Sequence, residues 1–219
     1  MTDKSKIRVV VLISGSGSNL QTLIDQSRDL TLPIEIVLVI SNKPDAYGLT
    51  RAINAGIQTQ VINHKDFADR STYDLALQKA IDEQQPDLVV LAGFMRILSE
   101  NFVNHYLGRM LNIHPSLLPK YRGLNTHQRA LKNKEKVHGV SVHFVTPELD
   151  GGPVIIQSQV PIELTDTAES LAKRVQAQEH IIYPIAISWF ALKRLKLKNG
   201  NLEFDKKNLD QPVFCSNNG

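Results

Sequence analysis

Residues 111–123 read LNIHPSLLPKYRG, with Asn112 and His114 two apart at the end of an apolar run. On an extended chain that spacing points both side chains to one face, and Pro115 ends any strand there. The pair has two readings. It is either a buried structural pair satisfied by backbone groups, or an amide that donates to a developing oxyanion beside an imidazole that carries charge and passes protons. A partner would decide, and residues 138–153, HGVSVHFVTPELDGGP, offer one in Asp150, just before Gly151 and Gly152. An Asp there is by default a turn former, yet a carboxylate brought beside His114 favours the charged imidazole. In the same stretch Ser141 and His143 alternate with Val140, Val142 and Phe144, which gives one strand face a polar character.

A second constellation is SGSGSNLQ, residues 14–21, directly after an apolar run. Two glycines permit a tight turn, and the amides of Gly17, Ser18 and Asn19 at a helix N-terminus attract an anion such as phosphate. The dinucleotide fingerprint needs a third glycine where Leu20 stands, and a P-loop needs Gly-Lys-Ser/Thr, so neither motif is present. The plainer reading is a strand-to-helix turn capped by Ser18 or Asn19. The third is GFMRILS, residues 93–99. It follows a strand, and ligands of open α/β sheets bind outside the carboxyl ends of strands. Met95, Arg96, Ile97 and Leu98 are therefore candidates for an apolar, planar ligand, against the alternative that they are core.

Other chemistries fit poorly. The seven histidines (His64, His105, His114, His127, His138, His143, His180) form no HExxH pattern and the single cysteine, Cys215, completes no thiolate site, so no metal is expected. GSGSN is not GxSxG, which argues against a serine nucleophile. The net charge of 25 − 22 = +3 is far from the basic stripe of a nucleic-acid binder, so no nucleic-acid partner is expected. No run approaches the roughly 20 apolar residues of a membrane helix, and the N-terminus reads as a first core strand, so no membrane association and a cytoplasmic location are expected.

The elements that must hold these residues alternate. Runs 7–13, 34–41, 59–63 and 88–93 are short, apolar and β-branched, as strands buried on both faces are. Helix-like segments 19–28, 47–54 and 70–85 separate them, the last with Tyr73, Leu77 and Ile81 on one stripe. This predicts an α/β fold, a mostly parallel twisted sheet with helices on both faces. Further on, 110–114 reads as a strand, 126–133 as a short helix, and 139–145 and 154–162 as two strands. Residues 167–198 read as one long helix burying Leu171, Val175, Ile182, Ile185, Trp189 and Leu192, with Pro184 as a kink. Antiparallel strands belong to this C-terminal half. From residue 199 the chain is polar and is expected to fray after a small strand at 202–204. Without a linker or repeat, residues 1–219 are expected to form one domain.

Taken together and in order, SGSGSNLQ, LAGFMRIL, LNIHPSLLPKY, HGVSVHFV, ELDGGPVI and VQAQEHIIYP resemble the folate-dependent formyltransferases over residues 7–198, and among them those acting on glycinamide ribonucleotide. The resemblance implies a Rossmann-like formyltransferase fold and transfer of a formyl group from 10-formyltetrahydrofolate, a co-substrate, to the amino group of glycinamide ribonucleotide in purine biosynthesis. It implies that Gly17, Ser18, Asn19 and Glu179 hold the ribonucleotide, that Arg70, Met95, Arg96, Ile97, Leu98 and Asn112 contact the folate, and that Asn112, His114 and Asp150 are catalytic. The N-terminal half would carry the phosphate site and the C-terminal half the folate site and catalytic loop, in a monomer or homodimer.

Two positions depart from the family pattern. Arg122 stands where proline is common, and Asn125 where histidine is often found. A role for that loop histidine does not transfer. The rival readings are a formyltetrahydrofolate deformylase, a methionyl-tRNA formyltransferase, or a nucleotide-binding module without chemistry. The deformylase makes no use of a phosphate-binding turn, and the module gives Asn112, His114 and Asp150 no joint purpose.

Overall fold

The computed structural model describes residues 6–198 and 200–215. β1 (Ile7–Ile13), β2 (Ile34–Ser41), β3 (Thr59–Val61), β4 (Leu88–Leu91), β5 (Met110–His114), β6 (Val137–Phe144) and β7 (Val154–Pro161) form one sheet with an edge strand near the C-terminus, β11 (Val213–Cys215). Its order is β11-β7-β6-β5-β4-β1-β2-β3. β6 pairs antiparallel with both β5 and β7, and every other pairing among the described strands of this sheet is parallel. The expected mostly parallel sheet with an antiparallel insertion in the C-terminal half is what forms.

Two-sided burial is visible in β1. Val9, Val11 and Ile13 join one core with α1 (Ser18–Arg28), α2 (Tyr47–Asn54) and α6 (Ala168–Ala191). Val10 and Leu12 join a second core, on the opposite face, with α3 (Arg70–Asp82) and α4 (Glu100–His105). Each such buried aliphatic contributes about 1.5–3 kcal/mol, so neither face can shed its helices without a large loss. α5 (Thr126–Lys132) lies between β5 and β6. Tyr183 of α6 is fully buried, and its hydroxyl proton is shared between the carbonyls of Leu91 (2.8 Å) and Leu111 (3.1 Å), which ties α6 to β4 and β5.

The C-terminal region corrects three expectations. The helix predicted over 167–198 stops at Ala191, and residues 195–198 become β8 (Leu195–Lys198). There Leu195 and Leu197 alternate with Lys196 and Lys198, a period of two that overrides the helical one once Lys193 turns into the left-handed region (φ 58°). Leu192 accordingly lies beyond the helix and is 36% exposed rather than buried. β8 pairs with β9 (Asn201–Phe204), which pairs with β10 (Lys207–Asn208), and β11 extends the main sheet, so the expected fraying does not occur over 201–215. Residues 216–219, also expected to fray, lie outside the described residues. Elsewhere β3 ends at Val61, β4 at Leu91 and α3 at Asp82, short of the predicted limits.

Candidate active site

β4 and β5 run parallel, with Leu91 beside Asn112. β5 then ends at His114, at the carboxyl edge of the sheet. Across the antiparallel pairing Asn112 faces His143 and His114 faces Ser141, so the polar face of β6 lies against the polar pair of β5. His143 Nδ1–H donates to its neighbour's carbonyl, Phe144 O, at 2.8 Å, which leaves Nε2 to accept from Asn112 Nδ2 at 3.1 Å. Burial lowers the pKa of His143 and keeps it neutral in this acceptor form. Asn112 is thereby oriented with a second amide proton free to donate.

His114 Nε2–H donates to Tyr121 O at 2.9 Å, and Nδ1 lies 3.5 Å from Asp150 Oδ2. The amide of Gly123 donates to the same oxygen at 2.9 Å, while Oδ1 lies 3.7 Å from His143 Nε2. The side chains of His114 and Asp150 are 8% and 9% exposed, so their interaction is poorly screened by water. Asp150 holds this place with a positive φ of 48°, rare for a residue with a Cβ. The turn behind it requires glycine, since a Cβ on Gly152 would lie 1.8 Å from Phe144 O. The loop after β5 and the loop after β6 are joined by an ion pair between Arg122 and Glu148.

The trio opens on a cleft of about 810 Å³. Arg70, Met95, Arg96 and Ile97 line it together with Asn112, His114, Asp150 and His127. Met95 and Ile97 are 63% and 55% exposed, apolar surface presented to the cleft. The Arg96 guanidinium lies 5.9 Å from the Tyr73 ring centre, and its Nε is buried without a hydrogen-bond partner among the described residues. Leu98 behaves differently: it is half-buried, packs on the second core and does not line the cleft.

The turn at residues 14–19 forms a separate cluster. Gly17, with φ 69°, is the N-cap of α1, and neither Ser18 nor Asn19 acts as a side-chain cap. A Cβ on Gly17 would lie 2.6 Å from the Cα of Gly48, so the turn and α2 touch backbone to backbone. α6 supplies two partners: Asn19 Nδ2 donates to Glu179 Oε2 at 2.7 Å, and Gln176 Nε2 to Ser18 Oγ at 3.0 Å. Burial raises the Glu179 carboxyl pKa, opposed by the Asn19 hydrogen bond. This cluster is not part of the cleft lining. It sits at the end of β1, on the other side of β4 from His114, and two strand spacings amount to roughly 10 Å.

Sequence reasoning gave no role to four groups that build the site. His143 orients Asn112, the Tyr121 carbonyl and Gly123 amide orient His114 and Asp150, and Gln176 meets Ser18. The alternation of Ser141 and His143 was the available signal for the first; the backbone groups had none. Among the described residues no group of three or more His, Cys, Asp or Glu is placed to hold a metal, and no helix is long and apolar enough to cross a membrane.

An α/β sheet that brings Asn112 and His114 of β5 beside Asp150 of the β6–β7 loop is the arrangement on which the formyl transferase profile falls, matching residues 7–187. The chain belongs to that family and is a transferase. It is 54% identical over 210 residues to phosphoribosylglycinamide formyltransferase of Escherichia coli, covering 96% of this chain and 99% of the relative. It is 47% identical over 201 residues to the human trifunctional purine biosynthetic protein adenosine-3, covering 91% of this chain and 20% of that protein. The solved phosphoribosylglycinamide formyltransferase from Coxiella burnetii superposes with a TM-score of 0.91 at 53% identity, covering 96% of this chain and all of that one.

Proposed function

We propose that this chain transfers the formyl group of 10-formyltetrahydrofolate to the amino group of glycinamide ribonucleotide, acting as one formyltransferase domain in the cytoplasm. The observation that carries the reading is the meeting of Asn112, His114 and Asp150 at the mouth of a cleft that also holds Arg70 and Arg96. The two guanidinium groups suit an anionic donor tail and the exposed Met95 and Ile97 a planar ring. The Gly17 to Asn19 amides suit the acceptor's phosphate, and the span of roughly 10 Å to His114 suits the rest of the ribonucleotide.

The chemistry follows from these groups. The neutral amine attacks the formyl carbon, a C–N bond forms, and the carbonyl electrons move onto oxygen. The free amide proton of Asn112 and the nearby His114 imidazolium stabilise that oxyanion. Because His114 Nε2 is committed to Tyr121, Nδ1 and Asp150 are the edge from which a proton can move, through water, from the attacking nitrogen to the departing folate nitrogen as its bond to carbon breaks. The test is release of tetrahydrofolate from 10-formyltetrahydrofolate with and without glycinamide ribonucleotide. Turnover is expected only with the ribonucleotide present. Equal release in its absence would make water the acceptor and overturn the reading in favour of a deformylase.

A further inference from the structure

We propose that Ser14 and Asp74 are positioning residues for the formyl donor: two buried acceptors that clamp the irregular segment 95–98 at its two ends. The inference rests on the donor reading above. Residues 94–99 have no regular secondary structure, and their side chains alternate, Met95 and Ile97 outward and Phe94 inward. An extended segment outside any sheet has no ladder to fix its backbone, so side chains must hold it.

Two do. Ser14, 4% exposed at the end of β1, accepts from the Met95 amide at 2.7 Å. Its own proton is committed to Asn42 Oδ1 at 2.5 Å, and Asn42 is 1% exposed, so the polarity of the contact is fixed and Ser14 can only accept from Met95. At the other end Asp74 of α3, 3% exposed, accepts from the Ser99 amide at 2.6 Å through Oδ2, and its Oδ1 is buried without a partner among the described residues. The two acceptors come from different elements, Ser14 from the end of β1 and Asp74 from α3. Between them the cleft-facing backbone is held in one shape before any ligand arrives, which lowers the ordering cost of binding. Neither residue lines the cleft, so each acts through the segment.

The experiment compares Ser14→Ala, Asp74→Ala and Asp74→Asn with the wild type. Hydrogen exchange on the unliganded protein should show the Met95 amide losing protection in S14A and the Ser99 amide in D74A. Affinity for tetrahydrofolate and KM for 10-formyltetrahydrofolate should weaken about tenfold in both alanine variants, the effect of one lost buried hydrogen bond, with kcat little changed. D74N keeps an acceptor oxygen and should bind close to wild type. If D74A does not fold, S14A decides alone. Donor binding within twofold of wild type in the folded alanine variants, or a D74N defect equal to that of D74A, overturns the clamp. Wild-type turnover reads the function itself and exchange reads the clamp without substrate, so the two ideas fail separately.

Discussion

His114 and Asp150, thirty-six positions apart, meet with Nδ1 and Oδ2 3.5 Å apart, both side chains largely buried at the cleft. That distance is short enough for attraction and, with one small shift or a water, for proton transfer. Asp150→Asn keeps the size and the Gly123 contact but removes the charge. We expect this variant and His114→Ala to lose about 10²–10³ in kcat, the usual scale for one stabilising group, while ribonucleotide binding, measured by calorimetry, stays within twofold. Near-normal turnover in either purified variant contradicts the catalytic assignment.

Gly17 is needed for two independent reasons, its φ of 69° and the 2.6 Å approach that a Cβ would make to Gly48 Cα. Gly17→Ala therefore strains the backbone and pushes α2 away from the turn, at a cost of about 2 kcal/mol or more. The expected result is a lower melting temperature together with a raised KM for the ribonucleotide. The donor KM should hardly move, because the cleft lining does not include this turn. Equal effects on both substrates would separate the turn from phosphate binding.

Much of this was legible in the sequence because the strongest signals are local. Runs such as IRVVVLI, short and β-branched without polar alternation, read as strands buried on both faces, and on an extended chain Asn112 and His114 share a face by their spacing. The C-terminal strands were hidden because RLKLK, residues 194–198, continues a helix-compatible stretch, and only the turn at Lys193 and pairing with β9 select the period of two. α4 was missed because six residues carry too little periodicity to read. In the site, His143 and the Tyr121 carbonyl were missed for a different reason. Their roles depend on strand pairing and loop closure, which bring together groups far apart in sequence, and a carbonyl has no residue signature at all.

His138 gives a pH dependence with a definite sign. It is 1% exposed, accepts or donates to His127 Nδ1 at 3.2 Å, and burial lowers its pKa to about 4 from 6.5. Between those values the unfolded chain takes up a proton that the folded chain refuses. Stability is therefore fully present above pH 6.5 and is lost as the pH falls toward 4, by up to about 3 kcal/mol from this group. His138→Gln should be less stable at pH 7.5 yet flatten the fall between pH 6.5 and 4 in urea denaturation curves. A slope unchanged from wild type would show that His138 is protonated in the folded state as readily as in the unfolded one.

The Arg122–Glu148 pair tests whether the departure at position 122 matters. It joins the two loops that meet at Asp150, but its side chains are 38% and 65% exposed, and exposed pairs contribute about 0–1 kcal/mol. The Gly123 amide, the left-handed turn at Asp150 and the close approach of Gly152 to Phe144 O already hold the carboxylate without it. Arg122→Pro, which removes the guanidinium, should therefore change stability by less than about 1 kcal/mol and kcat by less than threefold. The salt dependence of turnover should also be unaffected. A drop in kcat approaching that of Asp150→Asn would instead make the ion pair part of what positions the carboxylate, and would assign Arg122 a role that its exposure does not suggest.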